Sequence, residues 1–105
     1  MTRLIFTNEI TLLLQAMIMA GERVVIDYVK RSDAEQKRLF ARRLSRCDGK
    51  RIISKHQTGT AMDIYFITDS GEIDWSSWKY KKWHEVWQKE FGGREMITWD
   101  VGHFE

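Results

Sequence analysis

Residues 61–67 have the sequence AMDIYFI, and this segment is the clearest strand signal in the chain. Branched and aromatic side chains favour extended backbone, and one face of the segment is apolar. The sequence Asp69-Ser70-Gly71-Glu72 follows and is typical of a turn. We therefore expect a β-strand over residues 61–67 that packs one face against a core and ends at this turn.

Three helices are predicted around this strand. The first covers residues 8–20, begins at Thr7 or Asn8 as N-cap and ends at Gly21; because it is apolar on nearly all sides, we expect the rest of the domain to cover it. The second starts at a Ser32-x-x-Glu35 capping box, ends near residue 46 and turns Leu39, Phe40 and Leu44 inward. The third covers residues 80–91, with a core-facing stripe of Trp83, Trp87 and Phe91 and a solvent-facing His84.

Two further segments favour short strands, residues 23–29 and residues 96–99. Helices mixed with strands that can pair in antiparallel fashion predict an α+β fold, in which a small antiparallel sheet packs with about three helices. The chain has 105 residues and no proline, repeat or low-complexity tract that marks a linker. We therefore expect one domain over residues 1–105.

The charge balance gives no reason to expect a strongly acidic partner. Seventeen Lys and Arg residues oppose fifteen Asp and Glu residues, so the net charge of +2 does not require a nucleic acid or an anionic membrane. No apolar run reaches the length of a membrane span, and no segment fits a secretory signal well. We expect a monomer that is made in the cytoplasm, with no nucleic-acid partner and no membrane insertion.

Residues able to bind a metal occur in two short segments, 54–63 and 99–105. His56, Asp63 and His103 offer the three nitrogen and oxygen ligands that a hydrolytic zinc site needs, with the fourth position left to water. A turn at Gly59 could bring His56 back beside Asp63, and Asp100 could act as the general base. From the residues alone, a capping or surface role for each of these side chains stays open.

Three motifs occur in a fixed order: Arg31-Ser32-x-x-Glu35-Gln36, then S-x-H-x-x-G-x-A-x-D over residues 54–63, then D-x-x-H-F-E over residues 100–105. Together they resemble zinc peptidases that cut D-amino-acid bonds in bacterial cell walls. These are the D-alanyl-D-alanine carboxypeptidases and the L-alanyl-D-glutamate endopeptidases of phage lysis, whose fold is shared by the hedgehog signalling domain. Each motif alone is common, whereas their joint occurrence is specific.

The resemblance implies a zinc peptidase acting on peptidoglycan stem peptides, with roles for eight residues. His56, Asp63 and His103 would ligate Zn²⁺, Asp100 would be the catalytic base, Arg31 would stabilise the oxyanion, and Ser54 and Gln36 would contact substrate. Phe104 would support His103, and Glu105 stays open between a motif role and ordinary surface polarity. The Asp-x-x-His form favours the endopeptidase slightly over the carboxypeptidase. The family also implies action at the cell wall, reached without a signal peptide through a route such as a membrane pore opened by a partner.

Two other functions remain open at this point. The hedgehog comparison allows a non-catalytic binding domain of the same fold with a structural zinc ion. A basic interaction module that binds an acidic polymer is the third possibility, and it would use Arg42, Arg43, Arg46, Lys50 and Arg51.

Overall fold

The central strand of the sheet is β2 (Met62–Ile67), which confirms the predicted strand with a start one residue later. The structure is a computed structural model that describes residues 1–27, 33–42 and 55–105. Three short strands pair with β2 in antiparallel fashion: β1 (Val24–Ile26), β3 (Ile73–Asp74) and β4 (His103–Phe104). β2 therefore connects every other strand of the described sheet.

The hairpin between β2 and β3 forms at the predicted turn. Thr68 accepts a backbone hydrogen bond from Gly71 and donates one to Glu72, and Gly71 has a φ of 86°. Glycine adopts this left-handed conformation at little cost, which explains the tight reversal. At the other end of the sheet, β1 covers only part of the predicted strand over residues 23–29, whose last two residues lie outside the described ranges.

The first helix, α1 (Arg3–Met19), begins five residues earlier than predicted. Thr2 is the N-cap, since its hydroxyl accepts a hydrogen bond from the backbone of Ile5. The Thr7 hydroxyl instead donates to the carbonyl of Arg3 within the helix, so Thr7 does not need to cap a helix end. The predicted stop is confirmed, because Gly21 has a φ of 85° just after the helix.

In the part of the chain that the structure describes, helix α1 buries one face and exposes the other, which contradicts the expectation that the rest of the domain covers it. Its buried residues are Phe6, Ile10, Leu13 and Met17, which follow the spacing of one helical face. Leu4 and Met19 are 71% and 80% exposed. The apolar residues of the opposite face therefore stay at the surface of the described structure.

The second long helix is α4 (Ser77–Glu90), which starts three residues before the predicted helix and ends one residue earlier. Asp74 accepts hydrogen bonds from the backbone and hydroxyl of Ser76, which orders the chain just before the helix. Trp83 and Trp87 are 4% and 0% exposed, and their predicted core positions are confirmed. Phe91 packs against the same core at its edge.

The predicted second helix corresponds to α2 (Asp33–Ala41). It ends before the predicted residue 46, and residues 43–46 lie outside the described ranges, as do Ser32 and Leu44. The Glu35 carboxylate receives two hydrogen bonds from Arg38, one turn later on the helix. Phe40 is 47% exposed, so its predicted inward orientation is wrong.

The core joins α1, α4 and the sheet, and the predicted α+β class is confirmed. Its members among the described residues are Phe6, Ile10, Leu13, Met17, Met62, Ile64, Phe66, Tyr80, Trp83, Trp87 and Phe104. The Tyr80 hydroxyl accepts from the backbone of Phe66 and donates to the carbonyl of Asp74, which ties α4 to β2 and β3. Within the described part of the chain, no helix has both the length and the apolar character needed to cross a bilayer.

The end of the chain departs from the prediction. Residues 96–99 are not a strand. The last strand is β4, which begins four residues after the end of the predicted one. Two successive turns precede it, in which the backbone of Asp100 donates to Ile97 and that of His103 donates to Asp100. These turns bend the chain at residues 98–99 and 101–102, which a strand over residues 96–99 would not allow, and they carry it back alongside β2.

Candidate metal centre

Three side chains from different parts of the chain converge at one point: His56, Asp63 and His103. His56 Nε2 lies 3.1 Å from Asp63 Oδ1 and 3.1 Å from His103 Nδ1, and the last two atoms are 3.3 Å apart. His56 is 2% exposed and Asp63 is 7% exposed. The cluster is therefore a nearly equilateral triangle of potential ligand atoms at the edge of the core.

The strand register places two of these residues side by side. Asp63 on β2 pairs directly with His103 on β4, while Met62 pairs with Phe104. Successive side chains of a strand point to opposite faces, so Met62 and Phe104 enter the core while Asp63 and His103 share the other face. The alternation of apolar and ligand residues in both strands thus positions the pair.

A short helical turn supplies His56. α3 (Lys55–Thr58) is followed by a tight reversal, in which the backbone of Thr60 donates to the carbonyl of Lys55. Gly59 has a φ of 72°, and a Cβ at this position would lie 2.9 Å from the Arg3 guanidinium. Both the backbone conformation and the contact favour glycine. The predicted turn at Gly59 is confirmed, and it brings His56 back to the start of β2.

The donor set and its dimensions fit a zinc ion. Two imidazole nitrogens and one carboxylate oxygen form a common catalytic zinc ligand set, which leaves a fourth position open. Bonds of about 2.0–2.1 Å in a tetrahedral arrangement put ligand atoms about 3.3 Å apart. The three observed separations of 3.1, 3.1 and 3.3 Å match this value closely. The cluster could therefore hold a metal ion without rearrangement of its backbone.

The charges within the cluster are strongly coupled. Burial alone would raise the pKa of Asp63, but hydrogen bonds with His103 and His56 outweigh it and lower that pKa to about 2. Burial would lower the pKa of His103, yet the Asp63 and Glu105 carboxylates raise it to about 9. Without a metal ion, His103 therefore carries a proton at neutral pH. A metal ion that binds there must displace this proton.

Asp100 lies beside the cluster rather than within it. Its Oδ2 is 3.9 Å from His103 Nδ1, and its side chain is 46% exposed. The turn from Asp100 to His103 explains this position, because it brings these two residues, which are three apart in sequence, close together in space. A half-exposed carboxylate next to the open side of a metal site can accept a proton from a water molecule.

Tyr65 and Gly102 pack tightly next to the cluster. Tyr65 follows Asp63 by two residues on β2 and so shares its face of the sheet. A Cβ at Gly102 would lie 2.6 Å from the Tyr65 ring and 2.8 Å from the carbonyl of Ile64, so any side chain there would clash. The Gly102 carbonyl also accepts a 2.7 Å hydrogen bond from Ile64. The missing side chain lets the loop before His103 lie directly on β2.

Not every residue singled out in the sequence can be placed. Arg31 and Ser54 lie outside the described ranges. Gln36 lies on α2, and its side chain is also outside the description. Phe104 is fully buried on the core side of β4, where its ring stacks on that of His84.

His84 corrects the sequence interpretation, because it is 3% exposed rather than solvent-facing. Its ring lies 3.9 Å from the Phe104 ring with an interplanar angle of 4°, and its Nε2 is 2.6 Å from the Val101 carbonyl. Burial lowers the pKa of His84 to about 4, so the ring is neutral and Nε2 is the donor. The helix spacing contains the missed signal: Tyr80, Trp83, His84 and Trp87 follow the i, i+3, i+4, i+7 pattern of a buried face.

Glu105, for which the sequence leaves both a motif role and ordinary surface polarity open, is held in place by its backbone. Its backbone carbonyl accepts hydrogen bonds from the Arg94 backbone and the Trp87 indole, at 2.8 and 3.0 Å. The side chain is 16% exposed, and the nearby His103 keeps the pKa of Glu105 below its usual range. The available signal was the spacing in sequence, since residues 103 and 105 lie two apart and extended backbone would direct both side chains to the same side.

Comparison with known proteins adds no family to this description. The sequence matches no family model, and no curated protein matches it.

Proposed function

We propose that this protein is a zinc-dependent peptidase that hydrolyses peptide bonds in peptidoglycan stem peptides. The observation that carries the proposal is the convergence of His56, Asp63 and His103 with Asp100 at its side. Two imidazoles, one carboxylate and an adjacent second carboxylate make up the parts of a hydrolytic zinc site. The order of the three sequence motifs supports the same function and a fold of the hedgehog and D-alanyl-D-alanine peptidase type.

His56 Nε2, Asp63 Oδ1 and His103 Nδ1 would hold the ion. A zinc ion bound there acidifies a water ligand and polarises the carbonyl of the scissile bond. Asp100 Oδ2 takes the proton that the attacking water loses, and it returns this proton to the departing amine as the carbon–nitrogen bond breaks. Asp100 suits this role because its side chain is half exposed and 3.9 Å from a ligand atom, close to the reaction without occupying a ligand position.

Substrate contacts are assigned from the resemblance. Arg31 would stabilise the negative charge that develops on the carbonyl oxygen, an interaction that strengthens in the transition state. Ser54 and Gln36 would contact the peptide. The substrate would be cell-wall peptide, with an endopeptidase acting between L-alanine and D-glutamate favoured over a carboxypeptidase. The site of action would be the cell wall.

The test uses the purified full chain loaded with zinc and incubated with peptidoglycan sacculi, and mass spectrometry identifies the released products. New D-glutamate amino termini indicate the endopeptidase, and free D-alanine indicates the carboxypeptidase. We expect Asp100→Ala to lower the rate by about 10²- to 10⁴-fold, because it removes a general base and leaves the three ligands in place. Zinc content should stay at that of the wild type.

A matched control is Asp69→Asn, which changes a fully exposed carboxylate that pairs only with the half-exposed Arg23 among the described residues. Its rate should equal that of the wild type. Zinc-loaded protein that releases no product contradicts the peptidase. Equal rates for Asp100→Ala and wild type would remove Asp100 as the base.

A further inference from the structure

The backbone of Glu105 is fixed beside the metal centre. Its carbonyl accepts one hydrogen bond from the Arg94 backbone at 2.8 Å and one from the buried Trp87 indole at 3.0 Å. Trp87 is itself fully buried in the core. The position of the Glu105 backbone is therefore set by the core and does not depend on the metal.

The carboxylate of Glu105 points at the far side of His103. Glu105 Oε2 lies 3.9 Å from His103 Nε2. This oxygen is buried and has no hydrogen-bond partner among the described residues. A buried carboxylate oxygen without a partner is costly, so the arrangement calls for a donor at this place.

The two nitrogens of the His103 ring face different groups. Nδ1 points to Asp63 and His56, while Nε2 points to Glu105. A neutral imidazole that gives one nitrogen to a metal carries its proton on the other. With Nδ1 as the ligand atom, Nε2–H is a donor directed at the unpartnered oxygen of Glu105.

We propose that Glu105 is a positioning residue for the metal centre: its carboxylate accepts the Nε2–H of His103 and holds the ring with Nδ1 directed at the ion. The inference rests on the metal centre of the proposed function and goes beyond it, because it assigns a role to a residue outside the ligand set. Carboxylates in this relation to a ligating imidazole fix the ring orientation and raise the basicity of the ligand.

The surroundings of Glu105 suit this role. Lys55 and Arg94 line the same surface cleft as Glu105, so the carboxylate has positive charge nearby in addition to that of His103. The separation of 3.9 Å is longer than a charge-assisted hydrogen bond of about 2.7–2.9 Å. The carboxylate must therefore approach the ring by about 1 Å when the metal binds.

The experiment measures zinc affinity by competition with a chromophoric chelator, for the full chain and two variants. Glu105→Ala should weaken zinc binding by about 10- to 100-fold. Glu105→Gln keeps the shape and an acceptor oxygen but not the charge, so its loss should be smaller, below about 10-fold. Glu85→Gln is the matched control, because Glu85 is 64% exposed and pairs with Lys89 on the surface of α4. Its affinity should equal that of the wild type.

A spectroscopic readout separates positioning from a general loss of stability. Cobalt substituted for zinc should show a shifted visible absorption band in Glu105→Gln, while the metal-free variant still unfolds in one cooperative transition. If Glu105→Ala does not fold, the zinc affinity and the cobalt band of Glu105→Gln test the positioning role. The positioning role would be overturned if Glu105→Gln had wild-type zinc affinity and an unshifted cobalt band, and any folded Glu105→Ala also had wild-type affinity. This result would leave the proposed peptidase intact. A wild-type protein that binds no zinc would overturn both proposals.

Discussion

Asp63 and His103 face each other across the β2–β4 ladder, with Oδ1 and Nδ1 3.3 Å apart. They are forty residues apart in sequence, yet a single register pairs them. A shift of one residue in this register would send one of them into the core and remove the cluster. The metal centre therefore depends on the pairing of β4 with β2 in this register.

The first prediction concerns this pair. Asp63→Asn keeps the size of the side chain but replaces an anionic ligand with a neutral amide. Zinc affinity should fall by more than about 100-fold, since removing a ligand costs more than removing a group that only supports one. The measurement is the metal content after dialysis together with a competition titration. Asp69→Asn is again the control, and undiminished zinc binding by Asp63→Asn would exclude this cluster as the zinc site.

The second prediction separates a catalytic from a structural zinc ion. The core of α1, α4 and β2 contains none of the three ligands, so the metal-free protein should stay folded after chelation. Zinc at 100 times its dissociation constant should add about 2.7 kcal/mol to the free energy of unfolding. This corresponds to a rise in melting temperature of more than about 10 °C for a domain of this size.

Circular dichroism during thermal unfolding, with and without chelator, measures both quantities. Loss of the cooperative transition on chelation would instead show that zinc is required for folding. That outcome would favour the non-catalytic binding domain over the peptidase.

The third prediction concerns pH and His84. Its pKa is about 4 in the folded protein, against an ordinary value of 6.5 for the unfolded chain. Between pH 4 and pH 6.5 the folded state therefore binds fewer protons than the unfolded state. The contribution of His84 to the free energy of unfolding is fully present above pH 6.5 and falls as the pH drops toward 4. The loss from His84 should reach about 3 kcal/mol.

The pH range in which His84 affects stability differs from the ranges of His103 and Asp63, whose pKa values are also shifted. The raised pKa of His103 affects stability between about pH 6.5 and 9, and the lowered pKa of Asp63 acts below about pH 4. His84→Gln keeps a donor for the Val101 carbonyl but cannot titrate. The free energy of unfolding of both proteins is measured with urea from pH 7 to pH 4. It should fall with decreasing pH in the wild type, and the contribution of His84 to this slope should be absent in the variant. An equal slope in both would show that His84 is not the titrating group.

The fourth prediction tests the packing of the loop before His103. Gly102→Ala places a Cβ 2.6 Å from the Tyr65 ring and 2.8 Å from the Ile64 carbonyl, so the loop must move away from β2. We expect a loss of about 1–3 kcal/mol in unfolding free energy and weaker zinc binding, because His103 moves with the loop. Gly71→Asn is a control at a turn with open space around it, where asparagine tolerates the positive φ. Unchanged stability and zinc affinity in Gly102→Ala would show that the loop yields without disturbing the site.

Several local features were predictable because they depend on neighbouring residues. The strand at 62–67 follows from its β-branched and aromatic content, and the ends of elements follow from the glycines at 21 and 71. The start of α1 differs from the prediction because a threonine hydroxyl can either cap a helix or bond back within it, and the sequence alone does not choose between these roles. The aromatic stripe of Trp83, Trp87 and Phe91 does not include His84, but the helical period places His84 on the same buried face.

By itself, the sequence determined which local elements form and which side chains are able to bind a metal, since propensity and side-chain chemistry belong to each residue. Only the tertiary structure decided that His56, Asp63 and His103 meet, that β4 forms at residues 103–104 and that Glu105 lies behind His103. These relationships depend on strand register and on the packing of α4 against the chain end. Contacts between distant segments are selected by the free energy of the whole core, which no local pattern contains.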